Sequence, residues 1–296
     1  MIIRNESEVT TAVLEVMEQT TDPRLREIMV ALIKHLHGFI REIRLTEEEF
    51  RQATKIINDI GQASNDAHNE AVLMAGSLGV SSLVCLLNNG DMGTTETTQN
   101  LLGPFWRMNS PRTENGGSLV RSEMPGDPMF VELGFRDRAG APIEGLEVDV
   151  WHCSSEGFYE NQEEEQADYN FRGKFTTGTD GRVWFRSIKQ SGYPIPTHTV
   201  VGRLLDAQNR HPFRPAHIHV LASKENYKTL ISQIYSDDDE HLEDDVQFGV
   251  TAALIGRFER HDEAHEDLDP GTVWYSLKHN LVLEPGTYKL PIPPIR

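Results

Sequence analysis

Cysteine is almost missing from the 296 residues: Cys85 and Cys153 are the only two. Neither a disulfide framework nor a CxxC metal site can be built from them, and both read as free thiols suited to a reducing cytoplasm. Long apolar runs are lacking too. The best candidate, residues 72–87, is interrupted by Gly76, Ser77, Gly79, Ser81 and Ser82, well short of the ~20 apolar residues a membrane-spanning helix needs. The opening Met1-Ile2-Ile3-Arg4-Asn5-Glu6 has none of the basic start, apolar stretch and cleavage site of a secretory signal. A soluble, cytoplasmic chain that does not span a membrane is expected. Positive charge is scarce as well: 28 Lys+Arg stand against 46 Asp+Glu, a formal net charge of −18. Such a surface repels polyanions, which speaks against nucleic acid as a partner.

What is present suits a folded protein, with 25% charged and 38% hydrophobic residues. Residues 1–100 read as helical. Asp22-Pro23 offers a capping residue followed by proline at the first helical position, and Leu25, Ile28, Met29, Leu32, Leu36, Phe39, Ile40 and Ile43 then recur at helical steps. Thr46 and Glu49 make a T-x-x-E capping box ahead of Phe50, Ala53, Ile56, Ile57 and Ile60, with Gly61 marking a bend or an end. Between residues 88 and 128 the breakers Asn88-Asn89-Gly90, Gly103-Pro104, Ser110-Pro111, Asn115-Gly116-Gly117 and Pro125-Gly126 mark a junction. Beyond it, short β-like runs at 130–135, 147–151, 183–188, 218–221, 230–235 and 273–277 predict a β-sandwich. The expected fold is therefore mainly β, with a β-sandwich domain over 101–296 preceded by an α-helical domain over 1–100. The acidic runs 163–165 and 237–240 read as solvated loops, because neither has the alternating ligand spacing of a calcium site.

The chemistry concentrates in Arg214-Pro215-Ala216-His217-Ile218-His219-Val220. On a strand, His217 and His219 point to one face while Ile218 and Val220 point to the other. The bare H-x-H fits a shared metal and a hydrogen-bonded pair in a polar cleft equally well. No Glu or Asp follows at the spacing of a facial-triad iron enzyme, since Leu221-Ala222-Ser223-Lys224 offers none and Glu225 stands alone. Any further ligands must come from elsewhere. Tyr159, in Gly157-Phe158-Tyr159, and Tyr193, in Ser191-Gly192-Tyr193-Pro194-Ile195-Pro196, stand in suggestive settings, although a single tyrosine more often is a half-buried ring with a bonded hydroxyl.

In order along the chain, Trp151-His152, Gly157-Phe158-Tyr159, Gly192-Tyr193, Arg214-Pro215-Ala216-His217-Ile218-His219 and the stretch from Thr229 to Gln233 resemble the intradiol catechol dioxygenases. Leu102-Gly103-Pro104-Phe105 is similar to the family's segment at the pocket entrance, and the helical third to its dimerisation domain. The resemblance implies one Fe(III) per subunit held by Tyr159, Tyr193, His217 and His219, with phenolate oxygens suiting a hard cation. It also implies a homodimer through the helical domain, with a phospholipid in that interface by analogy. O2 would open a 1,2-dihydroxylated ring between its hydroxylated carbons. Tyr193 would take a diol proton, Arg214 would stabilise charge on the ring, and Gln233 would support the site. His152, His198, His211 and His241 lie in no matching motif.

Tyr193-Pro194-Ile195-Pro196 and Val201-Gly202-Arg203-Leu204-Leu205 resemble the hydroxyquinol and chlorocatechol branches, Leu78-Gly79-Val80-Ser81 and Val246-Gln247-Phe248-Gly249-Val250 are similar to the hydroxyquinol branch, and hydroxyquinol (benzene-1,2,4-triol) is the expected substrate. Catechol and chlorocatechols are the alternatives. Ala75-Gly76-Ser77 departs from that branch, which carries an aspartate there. Leu73, Gly76, Gly103, Pro104, Phe105, Ile195, Pro196 and Val250 are the expected pocket residues, with core packing as the alternative for Leu73 and Val250. Two rivals come from other classes: a non-catalytic β-sandwich binding module with a tyrosine platform, and a zinc hydrolase built on the H-x-H pair.

Overall fold

In the computed structural model, which describes residues 2–65, 68–89 and 98–294, side-chain caps decide where the helices begin. In the unit Met1–Asp59, α1 (Glu6–Met17) starts at Asn5, whose side chain accepts from Ser7 N. α2 (Pro23–Ile43) starts at Asp22, whose carboxylate accepts from Arg24 N and Leu25 N, with Pro23 filling the position that needs no donor. The two helices are tied by Thr10 Oγ1 to His37 Nδ1 at 2.9 Å and by Arg41 to Glu6. The capping box forms as expected at the head of α3 (Glu47–Ala63): Glu49 Oε2 accepts from Thr46 N and Thr46 Oγ1 accepts from Glu49 N. α3 runs two residues past Gly61. The apolar face of α2 also forms, yet α2 buries no residue, and Leu25, Ile28, Leu32, Leu36, Phe39 and Ile43 remain exposed.

The unit Ile60–Arg296 opens with α4 (Glu70–Ser77) and α5 (Val80–Asn89). Asn88 and Asn89, expected in a breaker, close α5, and Gly90 lies outside the described residues. Among the described residues no single helix is long and apolar enough to cross a membrane; α4 and α5 meet the length and composition only as a pair bent by 77°.

All six expected strands are present: β1 (Pro128–Asp137), β2 (Glu147–Trp151), β4 (Arg182–Ile188), β7 (His217–Ser223), β8 (Leu230–Ser236) and β11 (Trp274–Leu283). Between them the structure adds β3 (Arg172–Thr176), β5 (Tyr193–Pro194), α6 (Val200–Ala207), β6 (Phe213–Arg214), β9 (Ile255–Gly256) and β10 (Phe258–His261). The strands form a four-stranded sheet, β10-β11-β1-β4, a five-stranded sheet, β3-β2-β7-β8-β9, and a small β5-β6 pair. Pairing is antiparallel except for β1 with β11 and β8 with β9.

Alternation along the strands makes the sandwich. Val131, Leu133 and Phe135 of β1, Phe185 of β4 and Leu277 and Leu281 of β11 share one core with Val148 and Val150 of β2 and Ile218, Val220 and Ala222 of β7. The other face of β2 and β7 is covered too, since every residue of β7 is buried. That second layer contains Trp106, Trp151, Cys153, Tyr159 and Tyr193, so the outer face of the five-stranded sheet is where Tyr and His side chains meet. Phe135, fully buried between the sheets, tests this arrangement: Phe135→Ala is expected to cost about 3–5 kcal/mol, read as a lower urea midpoint.

Candidate active site

Four side chains converge on the outer face of β7. His217 and His219 project from alternate residues of that strand, and their Nε2 atoms lie 3.1 Å apart. Tyr193 OH lies 3.5 Å from His217 Nε2 and 3.3 Å from Tyr159 OH. All four residues are buried. A central ion with bonds of ~2.0–2.2 Å places neighbouring donors roughly 3–3.6 Å apart, so the spacing fits a shared metal.

Local structure fixes each donor. His217 Nδ1 donates to Pro215 O at 2.7 Å, which leaves Nε2 with its lone pair toward His219. Pairing of β2 with β7 sets Trp151 opposite His219, and the indole stacks on the imidazole at 4.7 Å with 4° between planes. Tyr193 lies in β5, directly opposite Arg214 of β6. Tyr159 sits ahead of a 3-10 turn and donates its N–H to Gln162 Oε1 at 2.8 Å. The turn is anchored by buried Glu160, which accepts from Arg172 and Arg107. Gly103, at φ +74, lies against the edge of His219: a Cβ there would meet Cε1 at 2.8 Å.

Burial, then the Arg214 charge, lowers the His217 pKa to about 3. Burial followed by His217 itself depresses His219 well below its usual range. Both imidazoles are therefore neutral, the form that binds metals. Burial raises both phenols, and for Tyr159 the neighbouring Tyr193 raises it further. A cation among the four donors would reverse that tendency and favour the phenolates. The donor set thus fits a hard, highly charged ion. Among the described residues, His219 Nδ1 is buried without a hydrogen-bond partner.

Arg214 is the charged centre beside them. Its Nε and Nη2 donate to the two carboxylate oxygens of Asp245, both at 3.1 Å. Nη2 also reaches Gln233 Oε1 and Tyr235 OH at 3.0 Å, while Nη1 lies 3.4 Å from His217 Nε2. Although burial opposes ionisation of Asp245, Arg214 and the N–H groups of Gln247 and Gly249 hold its carboxyl below the usual range. Gln233 also donates to Leu101 O at 2.7 Å.

A cavity of about 210 Å³ opens onto Tyr193 and Arg214. Of the expected pocket residues, Leu73, Gly103, Pro104, Phe105, Ile195 and Pro196 line it. Gly76 and Val250 are not on its wall: Gly76 is buried behind Gln247, and Val250 packs on the sandwich core. Tyr193 is the only one of the four donors on the lining, so it is the phenol that meets an occupant. Phe105 packs on Tyr159 with ring centroids 4.4 Å apart and the planes tilted by 31°.

Of the remaining histidines, His152 bonds Cys153 O and Ser187 Oγ, and His198 is exposed. His211 and His241 stack at 4.6 Å and bond Asp244; these three form a separate group with donor atoms within 4.8 Å of one another. Sequence reasoning missed Asp245, Tyr235 and Asp239, none of which stands in a local motif. The 237–240 run is exposed apart from half-buried Asp239, as expected of a solvated loop, yet Asp239 Oδ2 accepts from Ala216 N at 2.9 Å and Asp237 Oδ1 from Phe258 N. Asp239 thereby pins the segment leading into His217, and Asp237 the start of β10.

Two sequence profiles match the chain: one described as "Dioxygenase" over residues 101–285, and one described as "Catechol dioxygenase N terminus" over residues 22–94. A hydroxyquinol 1,2-dioxygenase of Rhizobium sp. (strain MTP-10005) is 38% identical over 283 residues, 94% of this chain and 95% of that protein. A catechol 1,2-dioxygenase of Candida albicans is 36% identical, over 88% of this chain and 86% of that protein. Among solved structures, hydroxyquinol 1,2-dioxygenase from Pseudomonas putida DLL-E4 is similar with a TM-score of 0.86 at 31% identity, covering 95% of this chain and 99% of that one.

The contact between Gly103 and His219 is open to test. Gly103→Ala combines a left-handed backbone with a side-chain clash, and is expected to destabilise by about 1–2 kcal/mol from the backbone alone. Denaturant titration reads the loss, and a displaced His219 ring should be visible in a crystal structure of the variant.

Proposed function

This chain belongs to the intradiol ring-cleavage dioxygenase family, and we propose that it opens hydroxyquinol with O2 between adjacent hydroxylated carbons, giving 3-hydroxy-cis,cis-muconate or its keto form, maleylacetate. The observation that carries this reading is the meeting of two phenol oxygens and two imidazole nitrogens, 3.1–3.5 Å apart, beside a cavity of single-ring size. Tyr159, Tyr193, His217 and His219 would hold one Fe(III) per subunit. Bound there, ferric iron would supply a Lewis acid that takes both diol oxygens and a one-electron acceptor that makes the ring reactive toward O2.

The chain's own groups do the rest. Tyr193, facing the cavity, receives a proton from the diol at its phenolic oxygen as the substrate docks. Tyr159, fully buried and backed by Phe105, has no such route to the occupant and stays in place. Arg214 remains a cation and stabilises negative charge as it develops on the ring. Gln233 is off the cavity wall and acts by holding Arg214 and tying it to Leu101. Leu73, Phe105 and Ile195 exclude water and orient the ring through apolar contact.

The expected homodimer through the helical segment is supported by α2, whose six large apolar side chains are exposed in the single chain and need a covering surface. An acyl chain of a phospholipid would suit the same face.

Oxygen uptake with hydroxyquinol, catechol, chlorocatechols and gallate, with products identified by mass, is the direct test, and hydroxyquinol should rank first. A catechol ranked first would retire the substrate while keeping the reaction. The pure protein should be red to burgundy from tyrosinate-to-Fe(III) charge transfer; a colourless protein without stoichiometric iron would instead point to a binding module or a zinc site. Tyr193→Phe should shift or bleach that band and slow diol binding, and an unchanged spectrum would remove Tyr193 from the ligand set.

A further inference from the structure

Hydroxyquinol carries one hydroxyl more than catechol, so a cavity that selects it needs a polar group apart from the donors that take the diol. Most polar side chains on the wall are already committed. Asn69 Oδ1 caps α4 by accepting from Val72 N, Gln162 Oε1 accepts from Tyr159 N, and His68 is bonded at 2.6 Å to the buried carboxylate of Glu70. Glu156 is exposed.

Gln247 is different. It lines the cavity yet is only 7% exposed. Its Nε2 donates to Ser77 Oγ at 2.8 Å, which fixes the amide and makes Oε1 an acceptor. No described residue donates to that oxygen. The backbone N–H of Gln247 donates to Asp245 Oδ1 at 3.1 Å, so the carboxylate that grips Arg214 also positions this residue. Opposite Oε1 stands Gly76: a Cβ built there would fall 1.7 Å from the oxygen. The amide rests against α4 only because residue 76 has no side chain.

We propose that Gln247 Oε1 accepts the hydrogen bond of the ring hydroxyl that distinguishes hydroxyquinol from catechol, with Gly76 and Ser77 holding the amide for it. The assignment rests on the substrate reading above. A carbonyl oxygen fixed in a largely apolar cavity is satisfied by the triol and left unpaired by catechol, which penalises the smaller diol. Gln247 is thereby a specificity residue; its partner on α4 is a glycine by necessity.

The test compares iron-replete wild type and variants in oxygen uptake and in anaerobic calorimetric binding, with hydroxyquinol and catechol side by side. Gln247→Leu is expected to lower kcat/KM and affinity for hydroxyquinol about 10- to 100-fold while leaving catechol within about threefold. Gly76→Ala should displace the amide and shift preference the same way, and Gln247→Glu, which keeps an acceptor, should retain more of the preference than Gln247→Leu. Equal losses with both substrates, no loss with either, or a selective loss in Ser81→Ala instead would overturn the assignment. If wild type prefers catechol, the substrate reading falls and takes this assignment with it. If wild type prefers hydroxyquinol and Gln247→Leu leaves that preference intact, the assignment falls alone.

Discussion

Strand β7 is buried on both of its faces, and the rest of the molecule is arranged around that constraint. One face supplies Ile218, Val220 and Ala222 to the sandwich core, and the other supplies His217 and His219 to the donor cluster. A shift of one residue in its pairing would put imidazoles in the core and aliphatics in the site. Pairing on both sides prevents this, with Trp151 of β2 and Gln233 of β8 flanking His219. The stacked Trp151 ring then fixes the imidazole plane as well as its position.

The same burial dictates the electrostatics. A buried site with two neutral imidazoles and two phenols tolerates Arg214 because Asp245 neutralises it through two hydrogen bonds. Asp245 is in turn held by the backbone of Gln247 and Gly249. One loop therefore both neutralises Arg214 and places the Gln247 side chain on the cavity wall. Asp239 does comparable service one layer out, accepting the N–H of Ala216 just before the strand begins.

Much of this was legible in the sequence where a local rule decides the outcome. Asp22-Pro23 and Thr46 with Glu49 specify helix starts by short-range hydrogen bonds, and the central strands carry dense β-branched and aromatic runs. β3 and β10 escaped because they are edge strands, Arg-Gly-Lys-Phe-Thr and Phe-Glu-Arg-His, whose charges suit an edge and blur the pattern. α6 escaped because eight residues opening with two valines look like a strand. In the site, the H-x-H geometry follows from strand alternation, while the tyrosines came from family resemblance. Asp245 and the position of Gln247 depend on tertiary folding and leave no short-range signal. Val250, for which the sequence left pocket and core both open, packs against the core, three residues beyond the Gln247 that does reach the cavity.

The parallel pairing of β1 with β11, in which Met129 faces Tyr275 and Asp137 faces Leu283, has a bearing on biosynthesis. β1 leaves the ribosome long before its neighbour exists, and parallel pairs of such separation close slowly. Until residues 274–283 emerge, β1 has an open edge, and the layer that backs the donor strand is incomplete. A chain stalled before β11 would keep that edge exposed and be prone to aggregate.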